Sequence, residues 1–144
     1  MRRLINYINP WIMASGLLLV FLLIYAGHFV VVQISGGTMD VLQIWVYVMG
    51  ASMVYSIFSA INILYAANTS RYYSRAMMGY IALVIVGVIL ATLISGKSIL
   101  ELQTYRRVFI FVVFTFLVMV TIVTLIKQLE NWSRRDDEEF LKKK

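Results

Sequence analysis

Charged residues divide this chain into four long uncharged runs. Most positions in these runs are aliphatic or aromatic, and the runs cover residues 4–39, 41–70, 76–96 and 108–126. About 20 consecutive apolar residues are needed to cross the hydrocarbon core of a bilayer, so each run is long enough for one membrane-spanning helix. The pattern therefore predicts an all-α polytopic membrane protein with a bundle of four transmembrane helices.

The connections between the runs are short. We place the four spans at about 10–32, 41–67, 75–96 and 104–127. The residues left over are too few for a separate folded domain. We predict a transmembrane domain at 1–132 and a charged C-terminal tail at 133–144.

Local signals predict where several helices begin. Pro10 suits the first turn of a helix, where its missing N–H costs no hydrogen bond. Asp40 with Gln43, and Ser98 with Glu101, have the spacing of capping boxes. The second box predicts that the last helix begins near Ser98, before the membrane, and continues to about residue 132.

Small and polar residues recur at helical spacing in the second and third runs. In the second run they are separated by steps of three or four, and in the third they form a small-xxx-small series. Small residues let helices approach closely, and serine or asparagine can hydrogen-bond between helices. We predict helix packing or partner binding by Ser52, Ser56, Ser59, Asn62, Gly87, Ala91 and Ser95.

Composition supports the membrane interpretation. The chain has 144 residues, of which 61% are hydrophobic and 14% charged, whereas soluble domains have about a quarter of their residues charged. It has no cysteine, which excludes disulfides, thiolate metal sites and a cysteine nucleophile. The net charge is +6, but the basic residues flank spans, so nucleic acid is not expected as a partner.

The distribution of basic residues predicts an orientation. With the N-terminus inside, ten lysines and arginines lie on the inner side, against three on the outer side at Lys97, Arg106 and Arg107. Because cytoplasmic flanks are enriched in basic residues, we predict that both termini lie inside. The compact layout without cysteine favours a bacterial inner (cytoplasmic) membrane, and an organelle membrane is compatible.

The candidates for chemistry are few. Every charged residue lies at or beyond a predicted span end, whereas proton relays and substrate sites in membranes usually place one at depth. His28, the one histidine, is a weak candidate for cofactor binding, and an interfacial hydrogen-bonding role is favoured over it. Asn62 could contact an ion or substrate, although an interhelical bond is favoured. We expect no cofactor, no metal site and no enzymatic activity.

A group of charged residues begins the last helical stretch. Glu101, Arg106 and Arg107 are candidates for contact with a lipid phosphate or with a partner's loop, since arginine pairs well with phosphate. A simple anchor at the membrane boundary is the favoured interpretation.

The length and the four spans resemble those of small multidrug transporters. That family carries an essential glutamate within the first span, and this chain has no acidic residue there. The polar and phenylalanine motifs of small fluoride channels, which are similar in size, are not evident either. Both comparisons weaken a transporter interpretation.

Three functions remain open from the sequence. The first is a small non-catalytic integral membrane subunit that docks within, or helps assemble, a larger membrane complex through its small and polar helix faces. The second is a homo-oligomeric channel or transporter for a neutral or lipidic solute. The third is a membrane anchor whose inner tail recruits a soluble protein. The expected partners are the lipid bilayer and either other integral membrane subunits or further copies of the chain.

Overall fold

A computed structural model describes residues 9–38, 40–66 and 68–142, with side chains as far as 134. The chain is all-helical in these residues, with α1 at Pro10–Ile34, α2 at Gln43–Tyr65, α3 at Thr69–Ser95 and α4 at Gln103–Lys142. All four helices are long and apolar enough to cross a membrane, which indicates an integral membrane protein. Several positions used in the predictions lie outside the described residues: Arg2, Arg3, Ala67, Lys143 and Lys144.

The start of α1 agrees with its sequence signals. Pro10 occupies the first helical turn, and the side chain of Asn9 accepts a hydrogen bond from the N–H of Trp11 at 3.2 Å. The chain leaves α1 through Gly36, whose φ of +69° is a left-handed conformation that glycine adopts without strain. A short connection then leads to α2.

Two predicted capping boxes do not form. Asp40 accepts a hydrogen bond from the N–H of Leu42 at 3.0 Å and so closes a turn, while α2 begins at Gln43. Ser98 likewise accepts from the N–H of Leu100 at 3.3 Å, and α4 begins only at Gln103. In both connections the polar side chain accepts from the N–H two residues ahead, and not from the N–H three residues ahead that a capping box uses. Such residues also stabilise turns.

The third helix is longer at its start than the apolar pattern indicates. Asn68 caps it by accepting a hydrogen bond from the N–H of Arg71 at 3.2 Å, so α3 includes the polar residues from Thr69 onward. It ends at Gly96, which has a φ of +65° and donates its N–H to the carbonyl of Thr92. The fourth helix continues without a break through the predicted tail to Lys142.

Helix α2 is the centre of the bundle. Within its most apolar window 56% of the residues are buried, against 6% for α1 and 17% for α4. It contacts all three other helices, α1 also contacts α3, and α4 touches α3 only slightly. Among the described residues the backbones of α1 and α4 do not approach each other closely, so the two helices lie on different sides of the α2–α3 pair.

The core has two parts, one toward each end of the bundle. We call these ends the Pro10 end, where α1 and α3 begin, and the His28 end, where they finish. The cluster nearer the Pro10 end draws on all four helices and contains Met13, Ala14, Tyr55, Ile63, Tyr80, Leu83, Phe116 and Val120. The cluster nearer the His28 end contains Tyr25, Ile44, Trp45, Val48 and Ala91.

Candidate functional site

The serines of α2 lie inside the bundle. Ser52 and Ser59 are fully buried and Ser56 is 4% exposed. The hydroxyl of Ser52 donates to the carbonyl of Val48 at 3.0 Å, and that of Ser56 to the carbonyl of Ser52 at 2.8 Å. Both hydroxyls therefore bond the preceding turn of their own helix instead of a neighbouring helix, and the small size of these residues is what brings the helices together.

The small residues of α3 pack against α2 in this contact. A Cβ placed on Gly87 would lie 2.7 Å from Cγ1 of Val48, which is closer than two carbon atoms can pack. Ala91 is fully buried in the same region. The indole Nε1 of Trp45 donates to the Ser95 hydroxyl at 3.3 Å. The series Gly87, Ala91 and Ser95 thus faces α2 within the chain.

Tyr55 connects three helices near the Pro10 end. It is fully buried, and its hydroxyl donates to the carbonyl of Ala76 in α3 at 3.0 Å. Its ring packs against those of Tyr80 and Phe116, which are stacked on each other with centroids 3.7 Å apart. Sequence pattern alone does not indicate this aromatic cluster, although a tyrosine in the middle of an uncharged span is a signal for a buried hydroxyl bond.

Gly79 makes room for the Tyr55 hydroxyl. A Cβ on Gly79 would overlap that oxygen, and would also lie 3.2 Å from the carbonyl oxygen of Pro10. Helices α1, α2 and α3 therefore meet at this glycine, which no bulkier residue can replace without moving one of them.

Asn62 lies between α2 and α1. It is half-buried, and its Nδ2 donates to Sδ of Met13 at 3.8 Å. The Tyr72 hydroxyl is close to its carboxamide but is without hydrogen-bond geometry to it. The amide thus takes part in an interhelical contact, with a weak acceptor.

His28 belongs to an aromatic group at its own end of the bundle. It is exposed, with Nδ1 2.9 Å from the hydroxyl of Tyr47 in α2. The Tyr47 ring meets that of Tyr25 edge to face at 5.5 Å. The structure therefore joins α1 to α2 through a histidine and a tyrosine that the sequence did not relate to each other.

The charged group around the start of α4 stays at the surface. Glu101, Arg106 and Arg107 are all exposed, and Arg106 donates to the carbonyl of Leu100 at 3.5 Å. Among the residues whose side chains are described, none of the three forms an ion pair. Ion pairs occur instead near the other end of α4, where Glu130 contacts Lys127 at 3.1 Å and Arg134 at 2.8 Å.

The outer side of α4 carries a long apolar stripe. Its residues recur every three or four positions over six turns, on the side of the helix opposite the buried Val112, Phe116 and Val120. The α4 stripe consists of Phe111, Phe114, Val118, Ile122, Leu125, Leu129 and Trp132, and each is at least 40% exposed. Two of its members, Leu129 and Trp132, lie beyond Lys127, where the charged residues begin.

Comparison of the chain with protein-family models, with curated proteins and with solved structures finds no match in any of the three.

Proposed function

We propose that this chain is a small non-catalytic integral membrane subunit that docks within, or helps assemble, a larger membrane protein complex. The observation that carries the proposal is that the α4 stripe, which is directed away from the bundle, continues past Lys127 into the charged part of the helix. The small and polar faces of α2 and α3 are occupied by contacts within the chain, so α4 is the better candidate for a docking surface.

The length of α4 supports a partner that extends beyond the lipid. Its 40 residues span about 60 Å at 1.5 Å per residue, about twice the thickness of a hydrocarbon core. Leu129 and Trp132 continue the stripe past Lys127, with exposed fractions of 63% and 66%. Exposed apolar surface outside the lipid marks interaction sites. A partner helix that runs along α4 would bury the stripe on both sides of the predicted membrane boundary at Lys127.

The spacing of the stripe suits a helical partner. Steps of three and four residues follow one face of any α-helix, and in a coiled coil the side chains of such a face insert between those of the facing helix. We infer that the docking mechanism is structural: a helix of another subunit packs along α4. The proposed setting is a bacterial inner membrane with both termini inside, as the distribution of basic residues predicts.

The test is co-purification in a mild detergent with matched variants. Phe114→Ala with Leu125→Ala interrupts the stripe at two positions, whereas Ile81→Ala with Ile89→Ala removes comparably exposed side chains from α3. We expect the native size and the co-purifying subunits to be lost in the first pair and kept in the second. A lone monomer for the unmodified chain would overturn the proposal, and a larger species made only of this chain would favour the homo-oligomeric alternative.

The alternative function of a membrane anchor that recruits a soluble protein also gains support from α4. The helix continues to Lys142, so the charged segment projects from the membrane as a helix that a soluble protein could bind. Deletion of residues 133–144 should then abolish capture of that protein while insertion into the membrane is unchanged. Loss of insertion, or unchanged capture, would contradict recruitment through this segment.

A further inference from the structure

A furrow with a volume of about 600 Å³ runs along the surface of the bundle between α1 and α3. The α1 wall consists of one face of the helix from Trp11 to Ala26, and the α3 wall of Ala82, Leu83 and Val86. Ser15 is the one polar side chain of the lining, and its hydroxyl is already bonded to the carbonyl of Ile12 at 3.1 Å. The furrow therefore offers an apolar surface along most of its length.

Positive charge is concentrated at the Pro10 end of this furrow. Arg75 and Arg71 precede Ala82 by seven and eleven residues, close to two and three whole turns, so both lie on the furrow side of α3. Both are exposed, and neither pairs with an acidic group among the side chains that the structure describes.

The axial distances match one leaflet of a bilayer. From Arg75 to Val86 is eleven residues, or about 16 Å at 1.5 Å per residue, and half of a hydrocarbon core is about 15 Å. Trp11 lines the furrow near its charged end. A molecule with its anionic group at Arg75 would thus end near the bilayer midplane beside Val86.

The shape of the furrow suits a lipid chain. From Trp11 to Ala26 is about 22 Å along α1, and the furrow is apolar over most of that length. A flexible acyl chain can follow such a furrow along its length, and basic pockets between transmembrane helices bind anionic headgroups.

We propose that the furrow between α1 and α3 binds an anionic phospholipid from the leaflet at the Pro10 end. Arg75, supported by Arg71, contacts the phosphate, and an acyl chain lies between Trp11 and Val86. Arginine suits this role because its planar group donates two parallel hydrogen bonds to a phosphate. The site depends on neither the α4 stripe nor the proposed subunit function.

The experiment measures quenching of Trp11 fluorescence by brominated lipids. Trp132→Phe serves as background, since Trp45 is fully buried and shielded from lipid. The protein is reconstituted in mixed vesicles of phosphatidylglycerol and phosphatidylcholine, with bromine on the acyl chains of one lipid at a time. We expect a higher relative association constant for phosphatidylglycerol, and a loss of about five-fold in that preference in Arg75→Gln, since one basic residue near the surface contributes about 1 kcal/mol.

Three controls identify the source of the preference. Arg107→Gln removes an exposed arginine at the opposite end and should leave the preference unchanged. Ala82→Phe narrows the furrow and should reduce quenching by both lipids. Excess inorganic phosphate should have no effect, because it lacks the acyl chain. Equal association constants for the two lipids, an equal loss in Arg107→Gln, displacement by inorganic phosphate, or no quenching by either lipid would each overturn the proposal.

Discussion

The contact between Gly79 and Tyr55 gives the sharpest test of how the helices are held together. A methyl group at position 79 would overlap the buried Tyr55 hydroxyl, which donates to Ala76. Overpacking a buried contact costs about 1–3 kcal/mol, and alanine recovers up to about 1 kcal/mol through its better helix propensity. We therefore expect Gly79→Ala to lower the free energy of unfolding by up to about 2 kcal/mol.

A double-mutant cycle isolates the cause. Tyr55→Phe removes the hydroxyl and one hydrogen bond, at a cost of about 1 kcal/mol, and leaves space for the methyl group. In that background the alanine should cost little or even stabilise, so we expect a favourable coupling energy of about 1–2 kcal/mol between the two substitutions. In the Tyr55→Phe background the added carbon still lies 3.2 Å from the carbonyl oxygen of Pro10, and this contact accounts for the destabilisation that remains.

The measurement is reversible denaturation in mixed detergent micelles, followed by tryptophan fluorescence. Gly16→Ala is the matched control, because Gly16 is also in a helix and an added Cβ there meets nothing within 4 Å. It should be neutral or stabilising. If Gly79→Ala costs the same in both backgrounds, or no more than Gly16→Ala, the structural reasoning about this three-helix contact is refuted.

Two further predictions concern orientation and solute passage. The chain has no cysteine, so single substitutions Thr38→Cys and Ser70→Cys can be labelled with a membrane-impermeant maleimide. The first should react in intact cells and the second only after permeabilisation, and the reverse pattern would place the termini outside. The hydroxyls of Ser52 and Ser56 bond their own helix, so Ser52→Ala with Ser56→Ala should leave any solute flux into proteoliposomes unchanged; a clear change in flux would favour the channel alternative.

Periodicity predicted that the second span uses one face for helix packing or partner binding. The face carries the serines with Asn62, and α2 is the most buried of the four helices. The hydrogen-bond acceptors of these side chains were less predictable. Apolar surroundings make an unbonded hydroxyl costly, and the nearest acceptor for Ser52 and Ser56 is the carbonyl one turn earlier. The sequence cannot show whether such a local acceptor or a neighbouring helix takes the bond.

Helix boundaries show a similar competition, between side-chain bonds to a nearer and to a more distant N–H. Asn9 with Pro10 gave a reliable start for α1, where the cap and the fixed φ of proline act together. Ser98 with Glu101 has equally good spacing, yet it forms a turn, because a serine can bond an N–H two residues ahead as readily as three. Because of this turn, α4 begins at Gln103 and not near Ser98.

By itself the sequence determined that the chain has four apolar helices and that their charged residues lie at the ends, because length, hydropathy and the cost of a charge in lipid are properties of each segment alone. Only the tertiary structure decided which faces meet. It directed the small faces of α2 and α3 toward each other, left the α4 stripe outside, and opened the furrow beside α1. Most of the surface of these helices is apolar, so hydropathy alone cannot rank their faces, and the choice depends on close packing between particular pairs such as Gly87 with Val48 and Gly79 with Tyr55.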